Sequence, residues 1–171
     1  DFEYLKKYSD YIDKEYSDYI NIRAEESNEV YARDAGLMIS WDELAARMIN
    51  AEKYISAYKN ETHRRIETGN LMLLYFASYL YGQNNTPTRD WTTNTVFEEV
   101  IQSYNKTISD NTGSEAAKII KNYLEELKNT NYTFTDEIYD IIAGYINELI
   151  KIYELDSPYM ISEQMKYLNF P

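Results

Sequence analysis

The chain has 171 residues, is 44% hydrophobic and 27% charged, and carries a net charge of −12. A chain of that length suits one domain and buries roughly 70% of its unfolded surface on folding. The acidic balance argues against nucleic acid, whose binders need clustered Lys and Arg, and against an anionic membrane surface.

No cysteine is present, which removes disulfides and thiolate metal sites. The first residue is Asp1 instead of Met, so we expect a preceding segment: a signal peptide, a lipoprotein leader or a cut in a longer chain. The lean towards Asn, Lys, Ile and Tyr resembles that of low-GC bacteria. Tyrosine is unusually frequent, at 19 against 5 Phe and 2 Trp. A tyrosine ring buries well while its hydroxyl reaches water or a partner, which suits the margins of helix-packing seams.

From Phe2 to about Tyr31 apolar residues recur three and four apart, predicting one amphipathic helix. It contains a repeat, Tyr8-Ser9-Asp10-Tyr11-Ile12 and then Tyr16-Ser17-Asp18-Tyr19-Ile20. That spacing matches neither helical period, so the stripe drifts around the axis. Gly36 reads as a stop. Ser40 with Glu43 forms a capping box that opens the next helix. Gly69-Asn70 reads as a break or kink ahead of Leu71–Tyr81, an uncharged run. A helix apolar all round must be covered on every side, and this one is too short to span a membrane. It is the predicted inner helix of a bundle, ending at Gly82.

Gln83 to Asn94 is the longest expected loop. Thr95 with Glu98 is a second capping box, Ser114 caps a further helix, and Thr135 caps the most strongly amphipathic one. Ala143-Gly144 within it suggests a close helix crossing. Ser157-Pro158 predicts a short last helix to about Leu168. No convincing strand appears; Tyr132-Thr133-Phe134 comes nearest. The expected fold is all-α, a single antiparallel helical-bundle domain of six to seven helices over residues 1–171.

Searches for catalytic chemistry find little. His63 is the only histidine, and its expected role is a surface pairing with Glu61 and Glu67. A di-iron bundle and histidine zinc sites need more ligands than the chain offers, so no metal and no cofactor is expected. Asp110 to Gly113 has a turn composition without the spacing of a calcium loop. Two binding candidates remain. His63, Arg64 and Arg65 form the one dense positive cluster, and Arg89, Asp90 and Trp91 stand in the long loop. Trp91 must either plug the core or face a partner. No motif matches a known family.

The expected protein is a non-enzymatic helical module of the bacterial cell envelope or exterior that works through protein or peptide contacts. One alternative is an acidic inhibitor or immunity-type protein neutralising a basic enzyme. The other is a bundle with a tyrosine-lined pocket for a small ligand.

Overall fold

The computed structural model describes residues 1–60 and 62–155, and the expected helix from Ser157 lies outside them. The described chain forms seven α-helices: α1 (Phe2–Leu5), α2 (Lys14–Asn28), α3 (Trp41–Ala57), α4 (His63–Tyr81), α5 (Glu98–Asp110), α6 (Glu115–Asn129) and α7 (Asp136–Ile152). A 3-10 segment, Lys6–Tyr11, follows α1. The fold is an all-α bundle, as expected.

Its centre is α4. Every residue from Leu71 to Tyr81 is buried except Leu74, which is half-buried. The helix packs along α3 and α7 and touches α2, while α5 and α6 pack on each other, α5 on α3 and α6 on α7. Leu44 and Met48 of α3, Val100 of α5, Ile120 of α6 and Ile142 of α7 join it in one apolar cluster.

Caps explain most helix starts. Ser40 accepts from Glu43 N, Thr62 from Arg65 N and Ser114 from Ala117 N. Only half of the first capping box forms, because the Glu43 carboxylate turns to Arg47 at 2.6 Å.

Tyrosine supplies polar bonds between helices as well as apolar bulk. On α2, Glu15, Asp18 and Glu26 share one face at helical spacing. Each accepts a hydroxyl from a neighbouring element: Tyr54 at 3.4 Å, Tyr58 at 2.6 Å and Tyr75 at 2.7 Å. Tyr19 returns the pattern from α2 to Glu67 of α4. Deeper in, Tyr79 bonds Ser103 and Thr107, and the Tyr104 hydroxyl donates to the Tyr79 carbonyl at 2.8 Å. This is why a core with few Phe uses so many Tyr: most buried rings bring a hydroxyl that satisfies a seam, while the Tyr123 hydroxyl has no partner among the described residues.

Burial raises these phenols. Tyr19 and Tyr79 are each pushed up to about 12, chiefly by desolvation, with the Glu67 hydrogen bond adding to the shift at Tyr19. Tyr75, Tyr54 and Tyr123 go higher still for the same leading reason. A phenol whose folded value is raised contributes stability that is complete below its unfolded value near 10 and is lost as pH rises through the folded value. Alkaline titration should therefore show two waves of phenolate absorbance. The second should coincide with loss of the helical circular dichroism. One single wave with helices intact would contradict the buried arrangement.

Several expectations need correction. The first predicted helix is broken at Ile12, which is extended, and Asp13 caps α2 by accepting from Tyr16 N. The first copy of the repeat thus lies in an arm folded back over α2, where Phe2 meets Tyr19 edge-on at 6.1 Å and Glu3 accepts from Asn28. A drifting stripe could not keep both copies on one buried face, and the fold-back lets the arm pack a half-buried Phe2 against Tyr19 instead.

Gly69 does not break α4, which runs through it from His63 to Tyr81. A Cβ there would lie 2.6 Å from Leu155 Cδ2, so the glycine makes room for the chain returning after α7. Gly144 marks no crossing, since a Cβ there would meet nothing within 4 Å.

Two minute antiparallel ribbons occur where stops or loops were expected. They pair Ala32–Arg33 (β1) with Gly36–Leu37 (β2) and Gly82–Gln83 (β3) with Thr86–Pro87 (β4). They clasp each other: Asn85 N donates to Ala35 O at 2.7 Å, and Leu37 N to Thr86 Oγ1 at 3.0 Å. Thr95 does not cap α5, which starts after Phe97. Thr95 instead bridges Thr133, and Val96 N donates to Tyr132 O, so the ladder takes the residues that a cap would need.

Candidate functional site

The long loop is folded around Arg89. Its strand-like bridge to Val96 and the Phe97-to-Thr88 bond close the segment into a tight excursion against Phe134. Arg89 is 4% exposed, and its guanidinium lies 4.0 Å from the Phe134 ring centre, 4.6 Å from Trp91 and 5.4 Å from Tyr139. One nitrogen donates to the Tyr139 hydroxyl at 2.5 Å, while Nε and Nη1 find no partner among the described residues. The cation is thus held by aromatic faces.

Asp90 organises the turn by accepting from Thr92 N at 2.7 Å and Thr93 N at 2.9 Å. Those bonds, the one from Thr93 first, hold its carboxyl below the usual range. Trp91 stays 46% exposed beside the cation. It is therefore neither a core plug nor a free flag. With Trp41 replaced by Phe, iodide should quench the Trp91 fluorescence readily; resistance to quenching would contradict this placement.

His63, Arg64 and Arg65 are brought to three different settings. The His63 side chain is 88% exposed, 4.0 Å from Glu67, and the Glu61 half of its expected pairing lies outside the described residues. Arg64 reaches back to Glu15 at 3.2 Å and lies 5.1 Å over the Tyr16 ring. Arg65 is 7% exposed and donates to the Tyr153 carbonyl at the end of α7. Side chains one residue apart on a helix point in different directions, and here they serve α2, α7 and solvent separately.

Four exposed tyrosines fall where the sequence predicts the drifting apolar stripe of one amphipathic helix. Tyr4, Tyr8, Tyr11 and Tyr16 are 57%, 43%, 85% and 37% exposed, all on the arm and the start of α2. Tyr4 and Tyr8 meet edge to face at 6.2 Å. The Lys7 ammonium lies 3.5 Å from the Tyr4 ring centre and 4.8 Å from that of Tyr8. Its hydrogen bond holds the Tyr4 phenol below the usual value. Asp1, Glu3, Asp10 and Asp13 are exposed along the same stretch, so rings and carboxylates alternate. The signal for this surface was Asp13, an N-cap type three residues before Tyr16, which divides the apparent helix.

No helix among the described residues is long and apolar enough to cross a membrane, and no group of three or more His, Asp or Glu among them is placed to hold a metal ion. No protein-family model matches the chain, and no curated protein or solved structure matches it.

Proposed function

We propose that this protein is a non-enzymatic helical module that binds a basic protein or peptide, with the tyrosine face of the arm as its contact surface. The observation that carries this is the row of exposed rings at Tyr4, Tyr8, Tyr11 and Tyr16. Tyrosine is favoured in contact sites, and Tyr4 and Tyr8 meet edge to face within this stretch. The partner's chemistry follows from the same face. Lys7, Arg64 and Arg23 already lie over the rings of Tyr4, Tyr16 and Phe2, so these rings accept cations. The carboxylates among them and the net charge of −12 add attraction at longer range.

An inhibitor or immunity-type protein that neutralises a basic enzyme is the folded-partner form of this reading, and the acidic charge supports it. A bacterial envelope or exterior setting rests on composition.

Fluorescence anisotropy with a labelled peptide alternating Arg and Ser, against its Glu counterpart, tests the reading. The Arg peptide should bind and weaken as salt rises, because exposed charges are screened. Equal binding of both peptides, or none of the Arg peptide at low salt, would overturn it.

A further inference from the structure

A cleft opens on the side of the bundle where α3, the turn between α5 and α6, and the end of α7 meet. It has two lobes, with cavity volumes of about 590 and 410 Å³, that share Ser56, Gly113 and Tyr153 as a neck. Each volume falls in the range of small-molecule sites, roughly 300 to 1,000 Å³. No residue of the Gln83–Asn94 loop lines it.

The wall of the larger lobe is fixed by Glu52, which is 3% exposed. One of its oxygens accepts from Ala116 N at 2.9 Å and from the Tyr153 hydroxyl at 2.6 Å, and the other accepts from Ser114. That carboxylate is fully engaged and holds the Tyr153 ring in place.

The smaller lobe has the opposite character. Arg65 lines it, 7% exposed, with a single hydrogen bond to the Tyr153 carbonyl at 2.5 Å and no ion pair among the described residues. Its Nε is buried and has no partner among the described residues. A guanidinium offers five donors in a planar fork, and a buried cation without a counter-ion is costly. The partial negative charge at the end of α7 answers only part of that demand. Lys59 stands on the same lobe, and Ile55 and Ile152 give it apolar walls.

We propose that this cleft binds a small organic carboxylate, anchored by Arg65 and with its apolar body between Ile55 and Ile152. The fork of Arg65 matches a carboxylate. Inorganic phosphate shares the oxyanion geometry but not the apolar body, and its higher charge meets Glu115 and Glu154 on the rim.

The test uses hexanoate, hexanol and inorganic phosphate as probes in NMR titrations of the isotope-labelled protein. Hexanoate should shift the amides of Arg65, Gly113 and Tyr153, and hexanol should not. Arg65→Lys should weaken hexanoate at least about tenfold, because an ammonium lacks the fork. If that variant does not fold, Ser56→Trp serves instead. It fills the neck from an exposed position and should abolish binding with unchanged circular dichroism. The proposal is overturned if hexanoate shifts nothing there, if phosphate binds as tightly, or if Ser56→Trp leaves hexanoate binding intact. Because this site is remote in sequence from the tyrosine arm and takes the opposite charge, its failure leaves the basic-peptide reading untouched.

Discussion

Replacing Leu73 with alanine is expected to lower the unfolding free energy by about 2–5 kcal/mol in denaturant melts. Leu73 is fully buried in α4, inside the cluster formed with α3, α5, α6 and α7. Its loss removes apolar burial and leaves a cavity in a cluster whose other members are themselves buried and close-packed. Leu74, its neighbour, is half-buried, so Leu74→Ala should cost less than about 2 kcal/mol. Equal costs at the two positions would mean that α4 is rotated about its axis relative to this account.

Gly82→Ala is the second large effect. Gly82 ends α4 with φ +81° and ψ −168°, a region open essentially only to glycine. An added Cβ would lie 2.6 Å from Thr88 N and 3.0 Å from Pro87 Cα, both backbone atoms with no freedom to retreat. Conformational strain alone costs about 1–3 kcal/mol, and the clash adds to it. The β3–β4 ribbon and its clasp on β1–β2 depend on this corner, so the loss should also expose the Arg89 loop to faster hydrogen exchange. Gly113→Ala is the control. Nothing lies within 4 Å of a Cβ there, and the change should stay within about 0.5 kcal/mol.

The bundle and its inner helix were legible because their signals are local and strong. An uncharged run of eleven residues leaves no exposed face, as Leu71–Tyr81 shows. Ser40 and Ser114 capped the helices they were expected to cap, and Gly82 ended α4. The misses share one cause, which is competition from parts of the chain far away in sequence. Gly69 looked like a breaker because nothing nearby reveals Leu155 packing on it. Thr95 had a sound capping pattern, yet Thr133 and Tyr132 claimed that backbone first. The ribbons are too short to show any alternation of their own.

The candidate site was less legible than the fold. Arg89 and Trp91 were found as a pair, but the aromatic cradle of Phe134 and Tyr139 comes from beyond α6. The tyrosine arm was hidden by its own repeat. Tyr8-Ser9-Asp10-Tyr11-Ile12 leaves both rings exposed, whereas the second copy buries Tyr19 and Ile20. Tyr11 and Tyr19 have opposite fates, because Tyr19 lies between Phe2 of the arm and Tyr54 of α3.

The most direct test of the proposed role is to titrate the Arg-Ser peptide against a variant carrying Tyr4→Ser, Tyr8→Ser and Tyr11→Ser. These rings are exposed, so the thermal midpoint should hold within a few degrees of the parent. The account predicts that affinity falls at least about tenfold, equivalent to about 1.4 kcal/mol, while the acidic residues of the arm are unchanged. A variant that folds and binds the peptide as tightly as the parent protein would contradict it.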